Sequence, residues 1–95
     1  MANAQRIGVM LTRDAQQIFG GPCGLAPYLN DGEYFKCESA EQDGYFLRLE
    51  VLPVERNKVV AGRPLPVLNL SIPVNYVLYM LSAPDDETLI GFMHV

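Results

Sequence analysis

The chain has 95 residues, of which 49% are hydrophobic and 19% charged, and its formal net charge is −4. This composition excludes a disordered chain, because the apolar content suffices for a core, and the length predicts a single domain over residues 1–95. The acidic balance disfavours a non-specific grip on nucleic acid, since such binding depends on Lys and Arg at the phosphates.

The beginning of the sequence and its cysteines indicate a cytoplasmic protein. Residues 1–5 lack the basic segment followed by an apolar run that marks a secretory signal. No stretch approaches the roughly 18 consecutive apolar residues of a membrane span. Two cysteines without such a signal are typical of reduced thiols. The sequence leaves open whether Cys23 and Cys37 approach each other.

The first third of the chain predicts two strands and a loop. Residues 6–12 alternate between apolar and other side chains with the period of a strand. Arg13-Asp14 is typical of a turn, and we expect a short returning strand at residues 16–19. Glycines and prolines then interrupt regular structure over residues 20–28.

The middle of the chain predicts an antiparallel pair of strands. Residues 33–39 and 45–52 each come after an Asp-Gly turn signal and begin with an aromatic pair. The polar residues 40–44 are the expected loop between them, and Pro53 ends the second strand. Val59-Val60 indicates a further small strand or turn.

The last third predicts three more strands. Leu68, Leu70 and Ile72 alternate with polar residues until Pro73. Residues 74–82 are apolar on both faces, which favours a fully buried strand over a helix, because the run is short and is limited by Pro84. After an acidic turn, residues 88–95 are the expected final strand, paired with the one before it.

These elements predict an all-β domain, either a small SH3-like barrel or a compact sandwich of six to seven short strands. A strand that ends in Ile-Pro, a tight step and then an apolar strand is similar to SH3-like and Sm-like small barrels. That similarity concerns the fold and implies no function. The alternative is an α+β fold with residues 73–83 helical.

The most motif-like stretch is IFGGPCGLAPY at residues 18–28. A phosphate-binding loop needs Gly-Lys-Ser/Thr opening a helix, whereas Gly24 is followed by Leu-Ala-Pro. A reactive cysteine needs a nearby cation or helix N-terminus, and no basic residue is near Cys23 in the sequence. We therefore interpret the stretch as a stiff connection that Leu25 and Tyr28 pin to the core.

The sequence offers no set of residues typical of a metal site or of catalysis. His94 is the only histidine, and Asp85-Asp86-Glu87 lacks the alternating ligand spacing of a calcium loop. The serines and threonines are in no recognisable nucleophile setting. We expect no metal, no cofactor and no enzymatic activity.

These observations favour a non-enzymatic protein-interaction module, an adaptor or inhibitor acting through a protein partner. The apolar surplus and exposed strand edges of a small domain also favour a homo-oligomer, with residues 88–95 as the strand paired across the interface. The candidate partner-binding residues are Tyr28, Tyr34, Tyr45 and Arg48.

Two other classes stay open. A small RNA- or single-stranded-DNA-binding barrel needs an exposed aromatic platform beside a basic face. Its candidate residues are Tyr34, Phe35, Tyr45 and Phe46, with Lys36, Arg48, Arg56, Lys58 and Arg63. A small ligand-binding protein or enzyme needs a pocket with convergent polar groups, which we expect near residues 20–28 if it exists.

Overall fold

The computed structural model describes residues 5–55, 59–60 and 62–93. This part of the chain contains eight β-strands and two short α-helices. The strands are β1 (Arg6–Leu11), β2 (Leu29–Asn30), β3 (Tyr34–Asp43), β4 (Phe46–Leu52), β5 (Val59–Val60), β6 (Arg63–Pro64), β7 (Leu68–Pro73) and β8 (Val77–Ala83). The helices are α1 (Arg13–Gly20) and α2 (Asp86–Met93), and one-turn 3₁₀ helices cover Ala26–Tyr28 and Val74–Tyr76. The protein is thus mostly β, as the sequence predicts.

The main sheet is antiparallel and has six strands. Five of them follow the order β7-β4-β3-β1-β8, and β2 pairs with the start of β3. The last strand therefore returns to pair with the first, from Arg6↔Ala83 to Leu11↔Val77. The short strands β5 and β6 form a separate pair, which agrees with the prediction at residues 59–60.

The connection between the edge strands β7 and β8 shows that the sheet is curled. In a flat sheet, five strands would place the two edges about 19 Å apart, since neighbouring strands lie about 4.8 Å apart. The 3₁₀ turn Val74–Tyr76 joins these edges directly, and at about 2 Å per residue it spans only about 8 Å. The sheet must curl to bring Pro73 near Val77, as in the predicted small barrel.

One apolar core fills the inside of this curl. Alternate residues of β1, β3 and β4 point into it because successive side chains of a strand face opposite sides. Its buried members are Val9, Leu11, Ala15, Phe19, Tyr28, Leu29, Phe35, Cys37, Leu47, Leu49, Val51 and Ile72. Leu25 packs against this cluster and Tyr28 belongs to it, so the prediction that they pin the loop to the core is confirmed.

The prediction of a turn and a short strand at residues 13–19 is wrong, because this segment is α1. Thr12 is the N-cap, and its Oγ1 accepts a hydrogen bond from the Ala15 amide at 3.2 Å. Such a cap is worth about 1 kcal/mol. Ala15 and Phe19, four residues apart, lie on one side of the helix and are buried in the core.

The predicted final strand at residues 88–95 is also wrong, because residues 86–93 form α2; the last two residues lie outside the described part. The side chain of Asp85 accepts a hydrogen bond from the Thr88 amide at 2.7 Å, which lowers the pKa of Asp85. The helix packs its buried Leu89 and Met93 on the outer face of β1 and β8.

A glycine on β1 makes room for α2. A Cβ atom on Gly8 would lie 2.9 Å from the Met93 sulfur and 3.0 Å from Leu89 Cδ1. Around this contact Met10, Tyr34 and Ala83 form a second, smaller apolar cluster with the helix. The sheet is therefore covered on both faces where α2 lies.

Residues 77–83 form β8 and residues 74–76 a 3₁₀ turn, so the preferred strand interpretation of residues 74–82 is confirmed only from residue 77 onward, and the helical alternative for 73–83 is wrong. The expectation of full burial is wrong, because β8 is an edge strand with exposed apolar side chains. The predicted pair 33–39 and 45–52 is confirmed as β3 and β4. Their connection is shorter than the predicted loop 40–44, since pairing continues to Asp43↔Phe46.

Candidate functional site

The structure brings only two of the four predicted partner-binding residues to the surface. Tyr45 lies in the turn between β3 and β4 and is 84% exposed. Arg48 points outward from β4 and pairs with Glu41 at 3.5 Å. Tyr28 and Tyr34 are 5% and 2% exposed. The four side chains therefore do not form one surface.

The two buried tyrosines connect elements of the fold. The Tyr28 hydroxyl donates a hydrogen bond to the Pro66 carbonyl at 2.7 Å, which ties the first loop to the segment before β7. Tyr34 lies in the small cluster under α2. Burial raises the pKa of both phenols, and the charges of Asp31 and Glu33 raise that of Tyr34 further. Both side chains hold elements together in the interior.

The glycine-rich loop uses its amides internally. Gly24 has φ of 67°, a conformation that suits glycine. The amides of Cys23, Gly24 and Leu25 donate to the carbonyls of Ile18, Gly21 and Phe19. A phosphate cradle needs amides that point at the ligand, so this geometry supports the interpretation as a connection. Cys23 is exposed and Cys37 buried, and both are free thiols.

A shallow groove of about 360 Å³ crosses the outer face of β3, β4 and β7. Its polar side chains largely satisfy one another. Ser39 donates to Glu50 at 2.5 Å, and the ion pair between Arg48 and Glu41 crosses the same face. This is the usual solvated face of an antiparallel sheet.

A second groove, of about 450 Å³, lies between α1 and the 3₁₀ turn before β8. It is lined by Asp14, Gln17, Ile18, Pro22 and Tyr76. The ring of Tyr76 packs edge-on against Phe19 with centroids 6.0 Å apart, which fixes one wall of the groove to the core. The lining has no cluster of convergent polar groups of the kind that orients a small ligand.

The free edge of β8 is the most distinctive surface. Among the described residues β8 pairs only with β1, so the backbone donors and acceptors on its other side have no strand partner there. Three consecutive large apolar residues on this edge, Leu78, Tyr79 and Met80, are 63%, 47% and 48% exposed. The register skips Leu78, which marks a bulge in β8. We call Val77–Ala83, with these three exposed side chains, the β8 edge.

Apart from the bulge at Leu78, the β8 edge lacks the devices that usually protect an edge strand. Natural edges carry charges, prolines or a covering element that prevent pairing with another chain. Val77–Ala83 contains no charged residue and no proline. The sequence signal for this surface was the apolar run at 74–82, but that pattern is shared by buried strands, so the exposed edge could not be identified from it.

The described residues contain no group of three or more His, Cys, Asp or Glu side chains placed to hold a metal ion. His94 lies outside that part of the chain.

No helix within residues 5–55, 59–60 and 62–93 has the length and apolar character needed to span a membrane.

Comparison of the chain with models of protein families, with curated proteins and with solved structures finds no match.

Proposed function

We propose that this protein is a non-enzymatic interaction module, an adaptor or inhibitor acting through a protein partner, and that it binds through the β8 edge. The observation that carries the proposal is the exposure of Leu78, Tyr79 and Met80 on an uncharged strand. That strand pairs with β1 on one side and with no described strand on the other. These are the two components of strand addition, in which main-chain hydrogen bonds supply affinity and side-chain contacts supply specificity.

The energetics of the β8 edge favour occupation by another chain. Full burial of a Leu or Met side chain is worth about 1.5–3 kcal/mol. Leu78 and Met80 are 63% and 48% exposed, so covering them would contribute on the order of 1 kcal/mol apiece. Tyr79 adds an aromatic side chain, one of the types that most often carry binding energy at interfaces.

The nucleic-acid alternative has less support. Tyr34 and Phe35 are buried in the two clusters, so they do not form a stacking platform with Tyr45 and Phe46. Lys36 is 7% exposed and lies 3.7 Å from Asp86. Arg56 and Lys58 of the predicted basic set lie outside the described residues.

We also propose that the protein functions in the cytoplasm. Cys23 is an exposed free thiol and Cys37 a buried one. The reducing conditions of the cytoplasm keep cysteines as thiols, so both free thiols are consistent with that location.

The test uses immobilised protein and a lysate of its own source. Wild type is compared with Met80→Lys, which places a charge on the β8 edge, and with Val67→Lys, a control at a similarly exposed position (43%) before β7. We expect to capture proteins that bind wild type and Val67→Lys but not Met80→Lys. When such a protein is purified and added to wild type, it should slow amide exchange in β8. An empty set, or one that Met80→Lys retains, would overturn the proposal.

A further inference from the structure

We infer that the β8 edge pairs with the β8 edge of a second copy of this chain, antiparallel and about a two-fold axis that passes at Met80. This inference rests on the proposed function, because it uses the same surface and names the occupant. It is carried by the backbone geometry of the edge, the placement of its side chains and the distribution of charge around it.

The backbone of β8 is suited to self-pairing except at the bulge at Leu78, where the ladder would be interrupted. One side of the strand is paired with β1 over all of Arg6–Leu11. The other side can pair with seven residues of a second copy without meeting a proline, which would remove a donor. Complete antiparallel overlap of Val77–Ala83 places Met80 opposite itself, because Met80 is the central residue.

Side chains would cover one another on both faces of such a pair. Tyr79 and Leu81 stand opposite Met10 and Gly8 of β1, on the face that carries α2. Across the two-fold axis Tyr79 would contact Leu81 of the second copy, twice. On the other face the two Met80 side chains would meet. Tyr79 and Met80 would then gain apolar partners, and Leu78 would lie opposite Ser82 of the second copy.

The charges near β8 favour the antiparallel arrangement. Asp85 and Glu87 follow the strand at its carboxyl end, beside Asp86, which is paired with Arg6 and Lys36. Arg13 and Asp14 cancel near the other end of the strand, where the Thr12 amide donates to the Tyr76 carbonyl. Antiparallel pairing separates the two acidic turns by more than about 20 Å, because Ala83 and its copy stand six residues apart along the pair. That distance exceeds the Debye length of about 8 Å at physiological salt, whereas parallel pairing would bring the turns together.

The other sheet edge is a poorer candidate for joining copies. β7 ends in Pro73, which has no amide donor, and exposes Asn69 and Ser71. Pairing β7 of one copy with β8 of the next would also be head-to-tail, which gives rings or open filaments, whereas β8 with β8 closes as a dimer. Pairing the same surface on both copies therefore leaves no further β8 edge open to a third copy.

The size of the contact between the two copies sets the expected affinity of the dimer. The β8 edge supplies seven residues a side, compared with about 20–30 a side in a standard stable interface. We therefore expect a dimer that dissociates in the micromolar range.

The first test is sedimentation velocity from low micromolar to several hundred micromolar protein. Wild type and Val67→Lys should pass from monomer to dimer. Met80→Lys should weaken the dimer about tenfold or more, because it places two ammonium groups face to face. Leu78→Lys, which faces Ser82 of the second copy, should weaken it less. A wild type that is monomeric throughout, or equal effects of the two lysines, would overturn the inference.

The second test checks the register with one introduced cysteine at a time in a Cys23→Ser background, in which the remaining Cys37 is buried. Opposed Cα atoms in antiparallel strands lie about 4.5–5.5 Å apart, within the range of a disulfide, so Met80→Cys should cross-link under mild oxidation. Leu78→Cys should not, since its two copies would be about 14 Å apart. Cross-linking of Leu78→Cys in preference to Met80→Cys would overturn the two-fold register.

The two proposals can fail separately. A monomeric wild type that binds lysate proteins through Met80 refutes the second copy and retains the interaction module. A dimer that loses no lysate partner on Met80→Lys retains the self-pairing and refutes the adaptor or inhibitor role.

Discussion

Cys37 is a single side chain whose chemistry is set by its position in the core. It lies on β3 with no exposed surface, between neighbours that are apolar. Burial disfavours the charged thiolate, and it raises the pKa of Cys37 from about 9 to about 12. The thiol is therefore a packing group in the folded protein and becomes an ordinary acid only on unfolding.

This shift predicts a loss of stability in alkali. Above pH of about 9 the unfolded chain releases the Cys37 proton while the folded chain keeps it, so the free energy of unfolding falls as pH rises toward the folded pKa of about 12. The decline approaches about 1.4 kcal/mol per pH unit. Urea unfolding at several pH values should show a steeper decline in wild type than in Cys37→Ala, in which only the buried phenols of Tyr28 and Tyr34 still contribute. Parallel declines in the two proteins would contradict it.

At the scale of elements, α2 is held to the sheet by both apolar and ionic contacts. Asp86, in its first turn, accepts a hydrogen bond from Arg6 Nε at 2.8 Å and lies 3.7 Å from the Lys36 ammonium. Lys36 is almost buried, so the carboxylate neutralises a charge that solvent reaches poorly. Removing one partner of an ion pair with a buried member costs more than breaking an exposed pair, because it leaves a buried charge uncompensated.

We therefore expect Asp86→Asn to lower the free energy of unfolding by about 1–2 kcal/mol, because Lys36 and Arg6 lose their charged partner. The matched control is Glu41→Gln, which breaks the exposed pair with Arg48 and should cost less than about 0.5 kcal/mol. Urea unfolding of both variants at neutral pH measures the difference. Equal effects would show that α2 does not depend on this carboxylate.

At the scale of the whole molecule, the sheet joins distant parts of the sequence. β1 pairs with β3 on one side and with β8 on the other, so the first and last strands of the sheet must meet before its order is complete. Pairing over long sequence separations slows folding, because loop closure precedes the stabilising contacts. The clusters on both faces of β1 depend on the same pairing.

This topology predicts a single cooperative transition and refolding in milliseconds to seconds, as for other small proteins rich in long-range strand pairs. Far-ultraviolet circular dichroism and tyrosine fluorescence should give coincident urea curves, measured at concentrations where the chain is monomeric. Curves that separate would show that one cluster unfolds before the other.

The strands were predictable from local pattern and the helices were missed despite local signals. The alternation in 45–52 and the turn at Asp43-Gly44 correspond to β4 and the hairpin before it. At α1 the N-cap Thr12 precedes helical spacing of Ala15 and Phe19. At α2 the Asp85 side chain caps the Thr88 amide. Both helices have only eight residues, so a short apolar run could be interpreted as either structure.

The sequence by itself determined the β-rich class, the main strands and the turns, because side-chain alternation and Asp-Gly signals act over a few residues. Only the tertiary structure decided which apolar residues are covered. Tyr34 and Tyr45 each follow an Asp-Gly turn, yet Tyr34 is buried under α2 and Tyr45 is in solvent. Strand order likewise placed the apolar β8 at an edge. Both outcomes depend on contacts between distant segments, which a local pattern does not encode.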